Sequence, residues 1–135
     1  MKSLRTAIAG LTLLGVPIAA AAQSASAQPL RSTPVMTQAL EDSAFVGVVV
    51  NSSVLELVPG AEVTEAHTHD AELFGYILEG AVLTSLENAP IQRYEAGEMF
   101  YERRRILHTH FANASSESPA RVLIVQIATP DDPVP

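Results

Sequence analysis

The feature of this sequence that most constrains its fold is a succession of short β-forming runs, each followed by residues that favour turns. The runs are rich in valine, isoleucine, leucine and aromatic residues, and none shows a convincing helical pattern. They cover residues 44–50, 53–58, 72–78, 81–87, 91–94, 98–102, 106–111 and 121–127. Several short strands separated by turns are typical of a sandwich or a barrel, so we predict an all-β domain.

The domain boundaries follow from length and composition. A chain of 135 residues, 47% of them hydrophobic, is long enough for one packed core, which we place at residues 41–129. The segment from Gln23 to about Gln38 is rich in Ala, Ser, Gln, Thr and Pro, so residues 28–40 are expected to form a flexible arm or a segment that orders only on contact. The proline-rich, acidic residues 130–135 are expected to fray.

The amino-terminal residues have the three-part pattern of a secretory signal peptide. Lys2 and Arg5 precede an apolar run over residues 7–16, and small residues follow. We predict a signal peptide over residues 1–27, with cleavage after Ala22 or Ala27, and a secreted or periplasmic mature protein that is not attached to a membrane. The alternative is a retained membrane-anchoring helix, but the apolar run is short for a membrane span.

Charge and cysteine content exclude several functions. Loss of Lys2 and Arg5 leaves 6 basic residues against 15 acidic ones, and such an acidic chain is a poor partner for nucleic acid or an anionic membrane surface. The chain has no cysteine, which excludes disulfides, thiol catalysis and thiolate metal ligands. Any metal must therefore bind nitrogen and oxygen atoms.

All four histidines occur as two H-x-H pairs, His67 with His69 and His108 with His110. Alternate side chains of a strand point to one face, so each pair is expected to present two imidazoles to the same side. If strand pairing joins the two pairs, they form a nitrogen-rich pocket suited to one divalent transition metal. The alternative is that the histidines are exposed loop residues.

Two segments resemble the two motifs of the cupin family. In PGAEVTEAHTHDAELFGYILEG, residues 59–80, and GEMFYERRRILHTHFAN, residues 97–113, the matching positions are Gly60, His67, His69, Gly80, Gly97, His108 and Asn113. The chain is similar to a small single-domain cupin of the cupin 2 type from about residue 56 to residue 128. The resemblance implies a double-stranded β-helix, or jelly-roll barrel, in which His67, His69 and His108 converge on one metal. Iron is the first choice, with zinc, manganese, nickel or copper as alternatives.

The glutamate of the first motif is missing from its usual place. Counted back from Gly80, that position is Leu73, and the nearest carboxylates belong to Glu72 and Asp70. By strand alternation Glu72 points away from the face of Leu73 unless a β-bulge redirects it. The fourth ligand therefore stays open between Glu72, His110 and water.

Three consecutive arginines, Arg103, Arg104 and Arg105, replace the usual P-x-G turn of the second motif. A run of charge is usually solvated, so the favoured interpretation is an exposed turn paired with Glu98 or Glu102. If Arg103 or Arg105 leans over the barrel mouth, its guanidinium can bind a carboxylate, a phosphate or an enolate of a substrate.

Three neutral imidazoles leave open coordination positions, which is typical of catalytic metal sites. The first hypothesis is a dioxygenase-type oxidoreductase acting on a small, anionic or enolic molecule. The second is a redox-neutral isomerase or lyase in which Tyr76 or Glu72 moves a proton, and the third is a non-enzymatic periplasmic barrel that binds a small molecule. Tyr101 is a weaker candidate of the same kind as Tyr76. The exposed edges of a jelly roll also suggest a homodimer.

Overall fold

The structure is a computed structural model, and it describes residues 29–87 and 89–130. Over these ranges the chain forms one 3-10 turn, Ser43–Phe45, and nine strands. The strands are β1 Leu30–Ala39, β2 Val49–Leu57, β3 Glu62–Val63, β4 Glu72–Glu79, β5 Ala81–Leu86, β6 Gln92–Glu95, β7 Met99–Glu102, β8 His108–Asn113 and β9 Ala120–Ala128. The predicted signal peptide and residues 131–135 of the tail lie outside the described residues. No helix within those ranges is long and apolar enough to cross a membrane.

The strands form two antiparallel sheets. One has the order β1-β2-β9-β4-β7 and the other the order β3-β8-β5-β6. Neighbours along the chain are thus distributed between two sheets that enclose one core, as in a jelly roll. The predicted all-β jelly-roll architecture is confirmed.

Strand β1 occupies most of residues 28–40, the segment predicted to be a flexible arm or to order only on contact. Its backbone pairs with β2 from Leu30 opposite Leu57 to Ala39 opposite Val49, with one irregularity after Pro34. Nearly all its side chains are exposed, so the ordering comes from backbone hydrogen bonds rather than from burial. A polar composition does not reveal this kind of pairing.

Residues 44–50, predicted as strand, are mostly a tight connection. The Asp42 carboxylate accepts a hydrogen bond from the Ala44 N–H at 2.8 Å and begins the 3-10 turn, and the strand starts only at Val49. Asp and Asn favour such local bonds over extended structure. The two-residue strand β3 was also missed, because a run this short has no periodicity to detect.

The core lies between the two sheets and is built by alternate residues of the long strands. Its buried members are Leu57, Ala61, Leu73, Ile77, Val82, Phe100, Phe111, Ala120 and Val122. At Gly75, a Cβ atom would stand 2.1 Å from the Phe100 ring, so only glycine lets β7 place that ring in the core. Gly75 therefore marks a close approach between two strands.

Candidate metal centre

Three histidines come together where the loop before β4 meets the start of β8. The main chains of His67 and His108 form an isolated antiparallel bridge, with N–H donors 3.1 and 2.8 Å from the opposite carbonyls. The ring of His67 is centred 5.0 Å from that of His69 and 5.1 Å from that of His108. One ring nitrogen of each histidine lies within 4.8 Å of one on each of the others, so the three residues can hold one metal ion.

Backbone carbonyls determine which ring nitrogens are available. His67 Nδ1 lies 2.9 Å from the Glu65 carbonyl, and His108 Nε2 lies 2.8 Å from the His110 carbonyl. A carbonyl can only accept, so each of these nitrogens carries the proton and donates it. The lone pairs are then on His67 Nε2 and His108 Nδ1, and His108 Nδ1 is buried without a hydrogen-bond partner. This arrangement, with the second nitrogen tied to a carbonyl, is usual for metal-binding histidines.

Burial favours the neutral, metal-binding form of two of the three rings, those of His69 and His108. Desolvation, with a smaller effect from the neighbouring His67, lowers the pKa of His108 to about 4. Desolvation, again with a smaller effect from His67, also lowers the pKa of His69. Both rings therefore stay unprotonated at neutral pH.

Glu102 is the site residue that the sequence reasoning missed. Its side chain is only 2% exposed, and its carboxylate oxygens lie 3.4 Å from His108 Nδ1 and 3.8 Å from His69 Nε2. Burial raises its pKa to about 7, with a smaller lowering effect from His67. The alternation of β7 held the signal, because a buried Phe100 places Glu102 on the same inward face.

A cavity of about 330 Å³ lies next to the histidines. Its wall is largely apolar and contains few polar groups, as is usual for small-molecule sites. The lining residues are Leu30, Ser32, Ser53, Leu55, Val63, His67, His69, Leu73, Glu102, Phe111, Ile124 and Gln126. The strand that was predicted to be a flexible arm thus supplies part of the wall.

Comparison with known families gives a match to the family described as Cupin domain, over residues 53–126. The chain belongs to the cupin family. The comparison with curated proteins gives no match.

Solved cupin structures share the fold at low sequence identity. KdgF from Halomonas sp. has a TM-score of 0.58 and 18% identity, over 77% of this chain and 83% of that chain. The cupin domain of Cnp3 from Schizosaccharomyces pombe has a TM-score of 0.57 and 18% identity, over 76% and 66%. The DMSP lyase DddQ from Ruegeria pomeroyi DSS-3 has a TM-score of 0.52 and 19% identity, over 62% and 41%, so this chain spans less than half of that lyase. These likenesses show the fold alone.

Glu72 and the two tyrosines lie on the outer face of this cupin barrel. Leu73 is buried and faces the cavity, so its neighbour Glu72 points away, and its carboxylate accepts a hydrogen bond from the Tyr101 hydroxyl. That bond raises the pKa of Tyr101. Tyr76 is 37% exposed on the same face. The structure does not bring Glu72 or Tyr76 to the histidines, because no bulge redirects the strand at Glu72.

His110 also lies outside the histidine group, for the opposite reason. A bulge leaves Thr109 unpaired between His108 and His110, and this shift reverses the side-chain alternation of β8. Phe111 then faces the cavity, while the His110 ring points outward, 3.5 Å from the Glu62 carboxylate. The prediction that both rings of the second pair share one face is therefore wrong.

The arginine turn is paired, although with other partners than expected. Arg103 binds Glu87 at 3.0 Å, and Arg104 and Arg105 bind Asp70 at 2.8 and 2.9 Å. Hydrogen bonding, first from Arg104, lowers the pKa of Asp70. No arginine occurs among the described residues that line the cavity, so the structure does not bring Arg103 or Arg105 to the place where a substrate would bind.

Proposed function

We propose that this cupin is a metal-dependent oxidoreductase of the dioxygenase type, acting on a small, neutral, enolic or phenolic molecule. The observation that carries the proposal is the group of His67, His69 and His108 beside a largely apolar cavity. Three imidazoles leave coordination positions for further ligands, which is typical of catalytic rather than structural sites.

The residues fit a divalent transition metal. His67 and His108 each present one lone pair while the other ring nitrogen donates to a carbonyl, and burial keeps His69 and His108 neutral. Imidazole ligands suit iron, and ferrous iron would supply the activation of dioxygen and of the substrate oxygen. When both oxygen atoms enter the substrate, no external reductant is needed.

The cavity defines the kind of molecule that binds. Its apolar wall suits a carbon skeleton, while Ser53 and Gln126 offer hydrogen bonds that can orient a hydroxyl or a carbonyl. With no arginine among the described lining residues, nothing in the part of the cavity away from the metal compensates a charged carboxylate or phosphate. We therefore replace the anionic substrate of the sequence-based hypothesis with one that is neutral apart from the group that contacts the metal.

Glu102 supports a second candidate function. A buried carboxyl group with a pKa of about 7 beside the cavity can accept and return a proton, as a redox-neutral isomerase or lyase requires. Tyr76 and Glu72, first considered for this step, lie on the outer face. One structure of similar fold is named as a DMSP lyase.

The signal-peptide pattern of residues 1–27 bears on where the mature protein is located. We infer that the mature protein works in the periplasm or outside the cell, where it meets small diffusible molecules. The net charge of the sequence, −7, gives it no attraction to nucleic acid.

The test is oxygen uptake by the iron-loaded protein with a panel of neutral enols, diketones and catechols. We expect uptake that depends on both iron and substrate and that is lost in His67→Ala but kept in Glu72→Gln, which alters only the outer face. Turnover without oxygen, equally good with zinc or manganese, would favour the isomerase or lyase. A ligand-induced rise in melting temperature without turnover would indicate a binding protein.

A further inference from the structure

The position of Glu102 leads to a further inference about the metal ligands. This inference rests on the metal site proposed above. Strands β4 and β7 pair so that Glu102 lies directly opposite Leu73, and both side chains are buried on the inward face. The family motif led us to expect a glutamate at position 73. We propose that Glu102 is the fourth ligand of the metal held by His67, His69 and His108, supplied by the neighbouring strand at the paired position.

Of the two distances around the Glu102 carboxylate, the one to His108 Nδ1 is that of ligands around a shared ion, and the one to His69 Nε2 is longer. Two ligands that each lie about 2.1 Å from one metal are about 3.0–3.4 Å apart, depending on whether the geometry is octahedral or tetrahedral. The carboxylate oxygens lie 3.4 Å from His108 Nδ1 and 3.8 Å from His69 Nε2. Both separations are long for hydrogen bonds, so the carboxylate and the rings do not satisfy each other directly.

The polar atoms at the centre of the site lack partners. Glu102 Oε2 and His108 Nδ1 are the buried side-chain atoms of the described residues that have no hydrogen-bond partner. A carboxylate oxygen and a ring nitrogen with a lone pair are both acceptors, so neither can satisfy the other without a proton. Buried acceptors are costly when left without a partner, and one cation bound by both residues satisfies both.

This role has consequences for the chemistry. A carboxylate beside three neutral imidazoles lowers the net charge of a divalent site by one and adds the oxygen donor that suits iron and manganese. A carboxylate bound to the metal is not available as a free proton acceptor. Glu102 as a ligand thus favours the oxidoreductase over the redox-neutral candidate.

The decisive experiment compares Glu102→Gln with Glu72→Gln, the same substitution one residue before the paired position but on the outer face. Affinity for Mn²⁺ and Co²⁺ is measured by chelator competition, and the visible spectrum of the Co²⁺ protein reports the ligand set. We expect Glu102→Gln to bind at least about tenfold more weakly, with an altered Co²⁺ spectrum. Glu72→Gln should match the wild type in both.

A second pair of variants tests the position itself. Glu102→Leu should lose affinity, and the double variant Leu73→Glu with Glu102→Leu should regain most of it, because the two positions are paired on one face. This pair also decides the question if Glu102→Gln does not fold, as checked by thermal unfolding. Equal affinity in wild type and Glu102→Gln overturns the inference and leaves the histidine site intact. A wild-type protein that binds no metal overturns both.

Discussion

At the scale of single residues, two buried ionisable side chains, Glu102 and His108, stand out beside the cavity. Glu102 and His108 are 2% and 6% exposed, and burial shifts both toward their neutral forms. The free energy of unfolding of the metal-free protein therefore depends on pH through these two groups. Their effects have opposite signs.

The sign of each group's effect on the free energy of unfolding follows from a comparison of its pKa values in the folded and unfolded states. Glu102 has a pKa of about 7 when folded against an ordinary value of 4.5, so its contribution to stability is full below 4.5 and is lost as pH rises through 7. His108 has a pKa of about 4 against 6.5, so its contribution is full above 6.5 and is lost as pH falls through 4. Between 4.5 and 6.5 the two contributions offset each other.

Glu102→Gln separates these contributions, because glutamine has a similar shape and no charge. In the metal-free state we expect the variant to gain stability relative to wild type as pH rises from 4.5 to 7, by on the order of 3 kcal/mol. Urea unfolding in the presence of a chelator at several pH values measures the difference. A difference that stays constant with pH would contradict the burial of Glu102.

Some residues of the site could be predicted from the sequence and others could not. His67, His69 and His108 follow from their spacing and the motif, and the structure brings them together. The alternation of β7 indicates that Glu102 faces inward, but its place beside the histidines does not follow from the sequence, because it depends on the register that sets β7 against β4. His110 was misplaced because a one-residue bulge reverses alternation, and bulges have no strong sequence pattern.

At the scale of elements, two loops carry the histidine site and are fastened to each other. The loop of His67 and His69 continues to Asp70, whose carboxylate binds Arg104 and Arg105 of the β7–β8 turn. The Arg105 N–H also donates to the His69 carbonyl at 2.8 Å. The arginine turn thus holds the H-x-H loop against the start of β8, which is a positioning role.

Asp70→Asn tests this fastening. Exposed ion pairs contribute little to global stability, so we expect an almost unchanged melting temperature. Metal affinity should fall several-fold, because His69 is held less firmly, while the amount of metal bound at saturation stays the same. Glu95→Gln, which affects the exposed pair with Arg93, is the matched control. Equal affinities in the two variants would show that the Asp70 pairs do not position the site.

Among the elements, the long apolar strands were predictable and the exposed or very short ones were not. Strands β4, β5 and β9 follow from their aliphatic runs, which bury one face. Strand β1 has almost no buried side chain, so nothing in its composition marks it, yet Leu30 and Ser32 line the cavity. Pairing between backbones is long-range information that local patterns do not contain.

At the scale of the whole molecule, the two sheets form one jelly roll with the histidines, Glu102 and the cavity on its inside. The all-β class and the barrel were predictable because turns and strand runs recur along the chain. The dimer stays a prediction from exposed sheet edges, and the described residues leave β7 and β1 at the edges of one sheet.

The metal content of the purified protein shows whether His67, His69 and His108 hold one metal ion. The protein, purified without a histidine tag and reconstituted with iron, zinc or manganese, is analysed by elemental mass spectrometry beside His67→Ala, His108→Ala and His110→Ala. We expect about one metal per chain in wild type and in His110→Ala, whose ring faces outward, and almost none in the other two variants. A wild-type protein without metal, or a loss in His110→Ala equal to that in His108→Ala, would rule out a site formed by these three histidines.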